Sequence, residues 1–250
     1  MSARTFVRTA ATLALLASSL PAQRPLKVYI SADMEGITGV ASADQLSPNA
    51  FEYGRAREWM TGEVLAAIQG AREAGATEFV VSDSHGNGQS LLIDKFPSDV
   101  PVHIVRSFPR PLGMMEGIDS SFAAAIFVGY HASTSSTTGV RAHTMSSALL
   151  TRIALNGVSM SEAGVNAAIA AQFGVPVVMI TGDDAIVEET KQRLGAIEGV
   201  AVKHAIGFHS TSTLTPEVAQ AQIRQHAKAA VERRAQMKPY AMPRPVTVEV

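Results

Sequence analysis

Cysteine is absent from the 250-residue sequence. Disulfides, thiolate metal ligands and a cysteine nucleophile are thereby excluded, and any metal site must be built from His, Asp and Glu. Aromatic residues are scarce, at 6%, and no Lys/Arg cluster stands out, so no base-stacking platform for a nucleic acid is expected. Net charge is close to absent as well. The 21 Lys and Arg against 22 Asp and Glu leave −1, which gives no support for a nucleic-acid or anionic-membrane partner. The apolar run near the start, "TAATLALLASSL", is too short to serve as a permanent membrane anchor.

That run has a different reading. Arg4, Arg8 and the amino terminus precede it, and "LPA" ends in a small residue before Gln23. This is the charged, apolar and cleavage-site order of a secretory signal peptide. An amphipathic N-terminal helix is the competing reading, and a lipoprotein anchor is excluded because no cysteine follows. Residues 1–22 are expected to direct export, in a periplasmic setting, with the mature chain starting near Gln23.

What is present is a core. With 46% hydrophobic residues, the remaining chain can bury one sizeable domain. Apolar runs that read as strands alternate with helical patterns. "LKVYISAD", "ATEFVVSDSHG", "VHIVRS", "AAAIFVGYHA", "VPVVMITGDD" and "VAVKHAIG" are the strands, and "HTMSS" reads as the start of another. "AREWMTGEVLAAIQGAREAG", "SEAGVNAAIAAQFG", "AIVEETKQRLG" and "TPEVAQAQIRQHAKAAVERRAQM" are the helices. "TRIALNGVSM" reads as a hairpin about an Asn-Gly turn. The alternation predicts an α/β fold with a mostly parallel sheet flanked by helices. Residues 23–205 form the expected catalytic domain. Residues 206–250 are expected to be a smaller C-terminal α+β part, a helix and the start of a strand, which looks truncated.

Three of the strands end in residue types that bind metals. The first ends in "SADMEG", with Asp33 and Glu35 one residue apart. The second ends in His85, with Asp83 two residues earlier, and the third in His131. Ligands of parallel α/β sheets bind beyond the carboxyl ends of the strands. Two carboxylates held close repel each other unless one takes a proton or a cation removes the conflict. Each residue alone has an ordinary role as turn former, cap or loop hydrogen-bonder. Together they point to a His/carboxylate site for zinc or another divalent ion.

Glu162 opens a helix, where an acid also stabilises the helix dipole. His143, beyond the polar loop "HASTSSTTG", is either a general acid/base or a buried neutral imidazole. Asp183 and Asp184 end the strand "VVMITGDD" and are by spacing as good candidates as Asp33. His103, His204, His209 and His226 lack such a setting.

The segments "SADMEG", "SDSHG", "GYHA", "HTM" and "SEAGVNA" resemble, in order and approximate spacing, the DppA-type D-aminopeptidases, zinc metallopeptidases with the hallmark S-x-D-x-E-G. The resemblance runs from about Lys27 to His204. It implies a two-zinc centre in each subunit, with Asp33 bridging the ions and Glu35, His85, His131 and Glu162 completing the ligand set. It further implies His143 as the catalytic residue, short D-amino-acid-containing peptides such as D-Ala-D-Ala as substrates, and a homo-oligomer, a ring-shaped decamer. Asp83 is the candidate to orient a ligand imidazole from behind. Two departures accompany the resemblance. The loop between His131 and His143 is about one residue longer here, and members of the family continue past "RPVTVEV". The alternatives are a related binuclear amidase or phosphoesterase and a non-enzymatic periplasmic dipeptide-binding protein.

Overall fold

The computed structural model describes residues 25–250; the expected signal peptide lies outside the described residues. Chain order runs β1 (Lys27–Ala32), α1 (Tyr53–Glu73), β2 (Glu78–Asp83), β3 (Val102–Val105), β4 (Phe122–Tyr130), β5 (Ala154–Leu155), β6 (Val158–Ser159), α2 (Glu162–Gln172), β7 (Val177–Asp183), α3 (Asp184–Leu194), β8 (Glu198–Gly207), β9 (Ser210–Thr213), α4 (Pro216–Glu232) and β10 (Val248–Glu249). One seven-stranded sheet has the order β3-β2-β1-β4-β7-β8-β9. Its first six strands are mutually parallel, and β9 closes the edge antiparallel to β8. The α/β expectation holds.

Alternation along the strands sorts the two faces. Val28, Ile30 and Ala32 of β1 pack with α1 and α4, whose buried residues include Met60, Val64, Ala67, Ile223 and Ala227. Tyr29 faces the other way, into a cluster with Phe127 of β4, Ala163 and Ala167 of α2, and Ile186 of α3. Each face of the parallel sheet is thus covered by a helix pair, as buried strands of this kind require.

The sheet order reverses between β1 and β4: the chain runs outward from β1 to β3, then returns to place β4 on the other side. Such a switch point leaves a crevice at the carboxyl ends of the two strands. Here the crevice is tightened by two glycines. Asp33 donates its N–H to the Val128 carbonyl, and Gly36 donates to the Gly129 carbonyl, each at 2.8 Å. A Cβ on Gly36 would lie 1.8 Å from the Tyr130 carbonyl oxygen, and one on Gly129 (φ +73°) 2.3 Å from that of Asp33. Neither position has room for a side chain, which is why "MEG" and "VGYH" carry glycine beside their ligand-type residues.

Three expectations are corrected. "HTMSS" is not a strand: Arg141 and Met145 adopt left-handed backbone, φ 54° and 64°, and the segment turns back on itself. The boundary at residue 205 falls inside β8, and α4 packs on α1 within the main domain rather than in a C-terminal part. What stands apart is a small sheet, β10-β5-β6, in which the last strand pairs antiparallel with the predicted hairpin.

Candidate metal centre

Asp33 and His131 directly follow β1 and β4, and His85 follows β2 by two residues. Glu162 enters from α2. Ser161 caps that helix by accepting from the Gly164 N–H, and so aims the first turn, with Glu162 at its start, at the strand ends. His143 comes from the loop after β4, which its own N–H ties to the Ala132 carbonyl at 3.0 Å. Five of the six side chains are buried and His143 is half-buried.

The six form two groups of three, Asp33, Glu35 and His85 on one side and His131, His143 and Glu162 on the other. Asp33 joins them. Its Oδ1 lies 3.4 Å from His85 Nδ1, while its Oδ2 lies 3.3 Å from His131 Nε2. Glu35 Oε2 meets His85 Nδ1 at 2.9 Å, and Glu162 Oε1 sits 3.5 Å from His131 Nε2 and 3.9 Å from His143 Nε2. The His131 and His143 rings stack at 4.0 Å. Asp33 Oδ2 is buried and accepts no hydrogen bond. A buried carboxylate oxygen left unpartnered between two imidazoles fits a cation that completes it.

Each imidazole is held by a backbone carbonyl behind it. His85 Nε2 lies 2.7 Å from the Leu46 oxygen, His131 Nδ1 3.1 Å from that of Ala132, and His143 Nδ1 2.8 Å from that of Arg141. A carbonyl can only accept, so the nitrogen facing it carries the proton. The other nitrogen of each ring is turned, unprotonated in the neutral tautomer, into the site. Asp83 does not fill this role, contrary to expectation. Its Oδ2 accepts the Leu91 N–H at 2.8 Å and fastens the loop after β2.

The family model for D-aminopeptidases, peptidase family M55, matches residues 26–250. The chain belongs to the D-aminopeptidase family. The family is one of peptidases, hydrolases that act on peptide bonds. A D-aminopeptidase of Bacillus subtilis strain 168 is 32% identical over 222 residues, spanning 88% of this chain and 80% of the relative. A solved structure, described as the Zn-dependent D-aminopeptidase DppA from Bacillus subtilis, a self-compartmentalizing protease, superposes with a TM-score of 0.84. Its identity is 30%, over 89% of this chain and 80% of that one.

Charges within this family member's site are coupled. Burial disfavours ionisation of Asp33, Glu35 then repels it, and its carboxyl is raised above the usual range. Burial acts against the imidazolium of His85 and of His131. The carboxylates facing them, Glu35 and Asp33 at His85 and Glu162 and Asp33 at His131, outweigh it and lift both well above an ordinary histidine. The same pairing holds Glu35 and Glu162 below their usual range despite burial. Without a cation the site holds protons where ligands would give them up, so metal and protons compete for it.

The centre floors a cleft of about 470 Å³. Its walls are apolar, from Phe108, Leu112, Met114, Met145 and Ile169, with Asn166 as a polar group. Asn166 donates to the Tyr130 hydroxyl at 2.9 Å, which donates in turn to Ser31 at 2.7 Å. The sequence motif "SEAGVNA" includes Asn166, but spacing alone assigned it no role.

Asp183 and Asp184 stay out of the centre. Asp183 caps α3 through the Ile186 N–H, and its other oxygen accepts the Val140 N–H at 2.7 Å. Asp184 pairs with His204. Among the other histidines, His226 pairs with Glu198 on the α4 surface. Two buried charges behind Glu35 escaped sequence reasoning altogether, Glu63 of α1 and Lys203 of β8. The signal for Lys203 was a lone lysine within the apolar strand "VAVKHA".

Glu63 Oε1 accepts the Thr38 N–H at 2.7 Å while Oε2 is unpartnered. Burial pushes its carboxyl up to about 7, against the pull of the Thr38 N–H and Lys203. A carboxyl raised on folding contributes stability that is complete below its unfolded value of 4.5 and is lost as pH rises through about 7. Glu63→Gln keeps an acceptor for Thr38 and removes the charge. In metal-free buffer its stability relative to wild type is expected to rise by about 2–3 kcal/mol between about pH 5 and pH 8, read from urea midpoints. A pH-independent difference would contradict the assignment.

Proposed function

We propose that the chain is a zinc-dependent D-aminopeptidase with two ions per subunit, which removes the N-terminal D-residue from short peptides such as D-Ala-D-Ala. The observation that carries the reading is the placement of Asp33, one carboxylate oxygen toward each of two ligand groups. Imidazole and carboxylate donors without thiolate suit zinc, and the solved relative is described as Zn-dependent. Asp33, Glu35 and His85 would hold one ion and Asp33, His131 and Glu162 the other. When bound, the ions supply Lewis acidity toward the scissile carbonyl and bring the pKa of water toward neutrality.

The rest falls to the chain. His143 Nε2 faces the cleft with its other nitrogen fixed on Arg141. From there it takes a proton from the attacking water and delivers it to the leaving amine. The walls formed by Met114, Met145, Leu112 and Phe108 pack the substrate side chain and exclude water.

Turnover of D- and L-aminoacyl p-nitroanilides tests the reading directly. A preference of at least about 100-fold for the D-form is expected, a difference of about 2.7 kcal/mol in transition-state binding. Equal turnover points to a binuclear amidase of other specificity. We also propose export to the periplasm and assembly into a homo-oligomer, in line with a relative described as self-compartmentalizing. Periplasmic fractions are expected to yield a chain beginning near Gln23 that elutes as a multimer with its mass measured by light scattering. A cytoplasmic or monomeric protein would contradict these two parts.

A further inference from the structure

We infer that Lys203 is a positioning residue for one of the two ions, the one held on the Glu35 side. The inference rests on the zinc reading above. Lys203 is wholly buried, midway along β8 and opposite Asp183 of β7, and contributes no atom to the centre. Its Nζ donates to three backbone carbonyls, those of Glu35, Ile37 and Val40. An ammonium has three protons, and all three are used on one loop. Among the described residues it makes no direct ion pair.

The loop needs such a hold. From Met34 to Val40 its internal backbone bonds are long, Ile37 to Met34 at 3.3 Å and Val40 to Ile37 at 3.4 Å. Its other supports come from outside: Gly129 takes the Gly36 N–H, Glu63 the Thr38 N–H, Thr213 the Gly39 N–H, and Leu214 the Thr38 hydroxyl. Lys203 holds the carbonyl of Glu35 itself, and so fastens the oxygen side of the peptide whose N–H side is held by Gly129, the peptide from which that carboxylate reaches His85. Turning three carbonyls inward onto one ammonium also satisfies oxygens that burial would otherwise strand. The second ligand group hangs on different supports. His131 follows β4 directly, and the loop to His143 is fastened by Asp183 through Val140. Removal of Lys203 therefore loosens one half of the centre and spares the other.

The test is a zinc titration against a competing chelator on Lys203→Met, which keeps the length and loses the donors. Lys203→Gln, which retains two N–H donors, runs beside it, and Ile223→Val in the α1–α4 core controls for general destabilisation. Wild type is expected to take two zinc equivalents. In Lys203→Met one step is expected to weaken by about 10–100-fold, the effect typical of losing an outer support of a ligand, with the other step unchanged. Lys203→Gln falls between, and Ile223→Val matches wild type. Hydrogen exchange on the metal-free proteins gives a readout that needs no zinc. Amides from Met34 to Val40 exchange faster in Lys203→Met, while those from Ala132 to Thr144 do not. A folded Lys203→Met with both zinc steps and loop exchange as in wild type overturns the inference. If that variant does not fold, the same result in Lys203→Gln overturns it. A wild type that takes up no zinc refutes the zinc reading alone, and the exchange data still decide whether Lys203 holds the loop.

Discussion

Asp33→Asn is expected to abolish the loading of both ions and to lower kcat/KM by about 1000-fold or more, the scale of several kcal/mol of Lewis-acid stabilisation. The substitution is isosteric. The oxygen that accepts the Met34 N–H at 2.9 Å is kept, and the atom that bridges toward His131 becomes an amide nitrogen unable to bind a cation. Loss of one ligand group would leave one equivalent of zinc; loss of the shared carboxylate removes both. Stability provides an independent readout. Burial and Glu35 already disfavour the Asp33 carboxylate in the metal-free fold, so the metal-free variant is expected to be no less stable than metal-free wild type. Zinc should raise the Tm of wild type and leave that of the variant where it is. A variant that retains two zinc ions and full turnover would refute the bridging role.

His143→Ala is expected to behave in the opposite way, keeping two equivalents of zinc while kcat falls by about 100–10,000-fold, the range for loss of a positioned acid/base. The distinction matters because His143 Nε2 stands within reach of Glu162 and stacks on His131, so that geometry alone groups it with the ligands. Zinc content separates the two roles. A variant with one equivalent identifies His143 as a ligand. A variant with two equivalents and little loss of kcat removes it from the chemistry altogether. His143→Gln offers a hydrogen bond but no proton, and a partial recovery of rate over alanine would assign part of the effect to oxyanion binding rather than proton transfer.

The centre was legible in the sequence to the extent that strands announce where they end. Asp33, His85 and His131 stand at the ends of apolar runs, and parallel strands bring such ends to one edge. What spacing did not convey is which amides each carboxylate meets. Asp183 also ends an apolar strand, on β7 beside β4, but its carboxylate is taken up by the Ile186 and Val140 amides. Asp83 failed for a related reason: two residues from His85, it is drawn away by the Leu91 N–H. The supposed strand at "HTMSS" was lost to two left-handed residues that the local composition did not betray. Lys203 and Glu63 were hidden because a charged residue in a strand or helix is read as solvated unless its partners are known, and theirs lie over 160 and 25 positions away.

The carbonyl props behind the three imidazoles bear on how this site tolerates genetic change. Where a carboxylate orients a ligand histidine, one point mutation deletes the support. Here the supports are main-chain atoms of Leu46, Ala132 and Arg141, and no exchange of side chain removes a carbonyl. A substitution at position 46, 132 or 141 therefore leaves the aiming atom in place, within the limits set by burial at Ala132 and by the left-handed backbone at Arg141. The same supports are exposed to a different class of lesion. An insertion or deletion that shifts the path of the chain near these residues moves the oxygen and the ring it steers, so the centre should withstand a substitution scan of its supports far better than a scan of single-residue deletions.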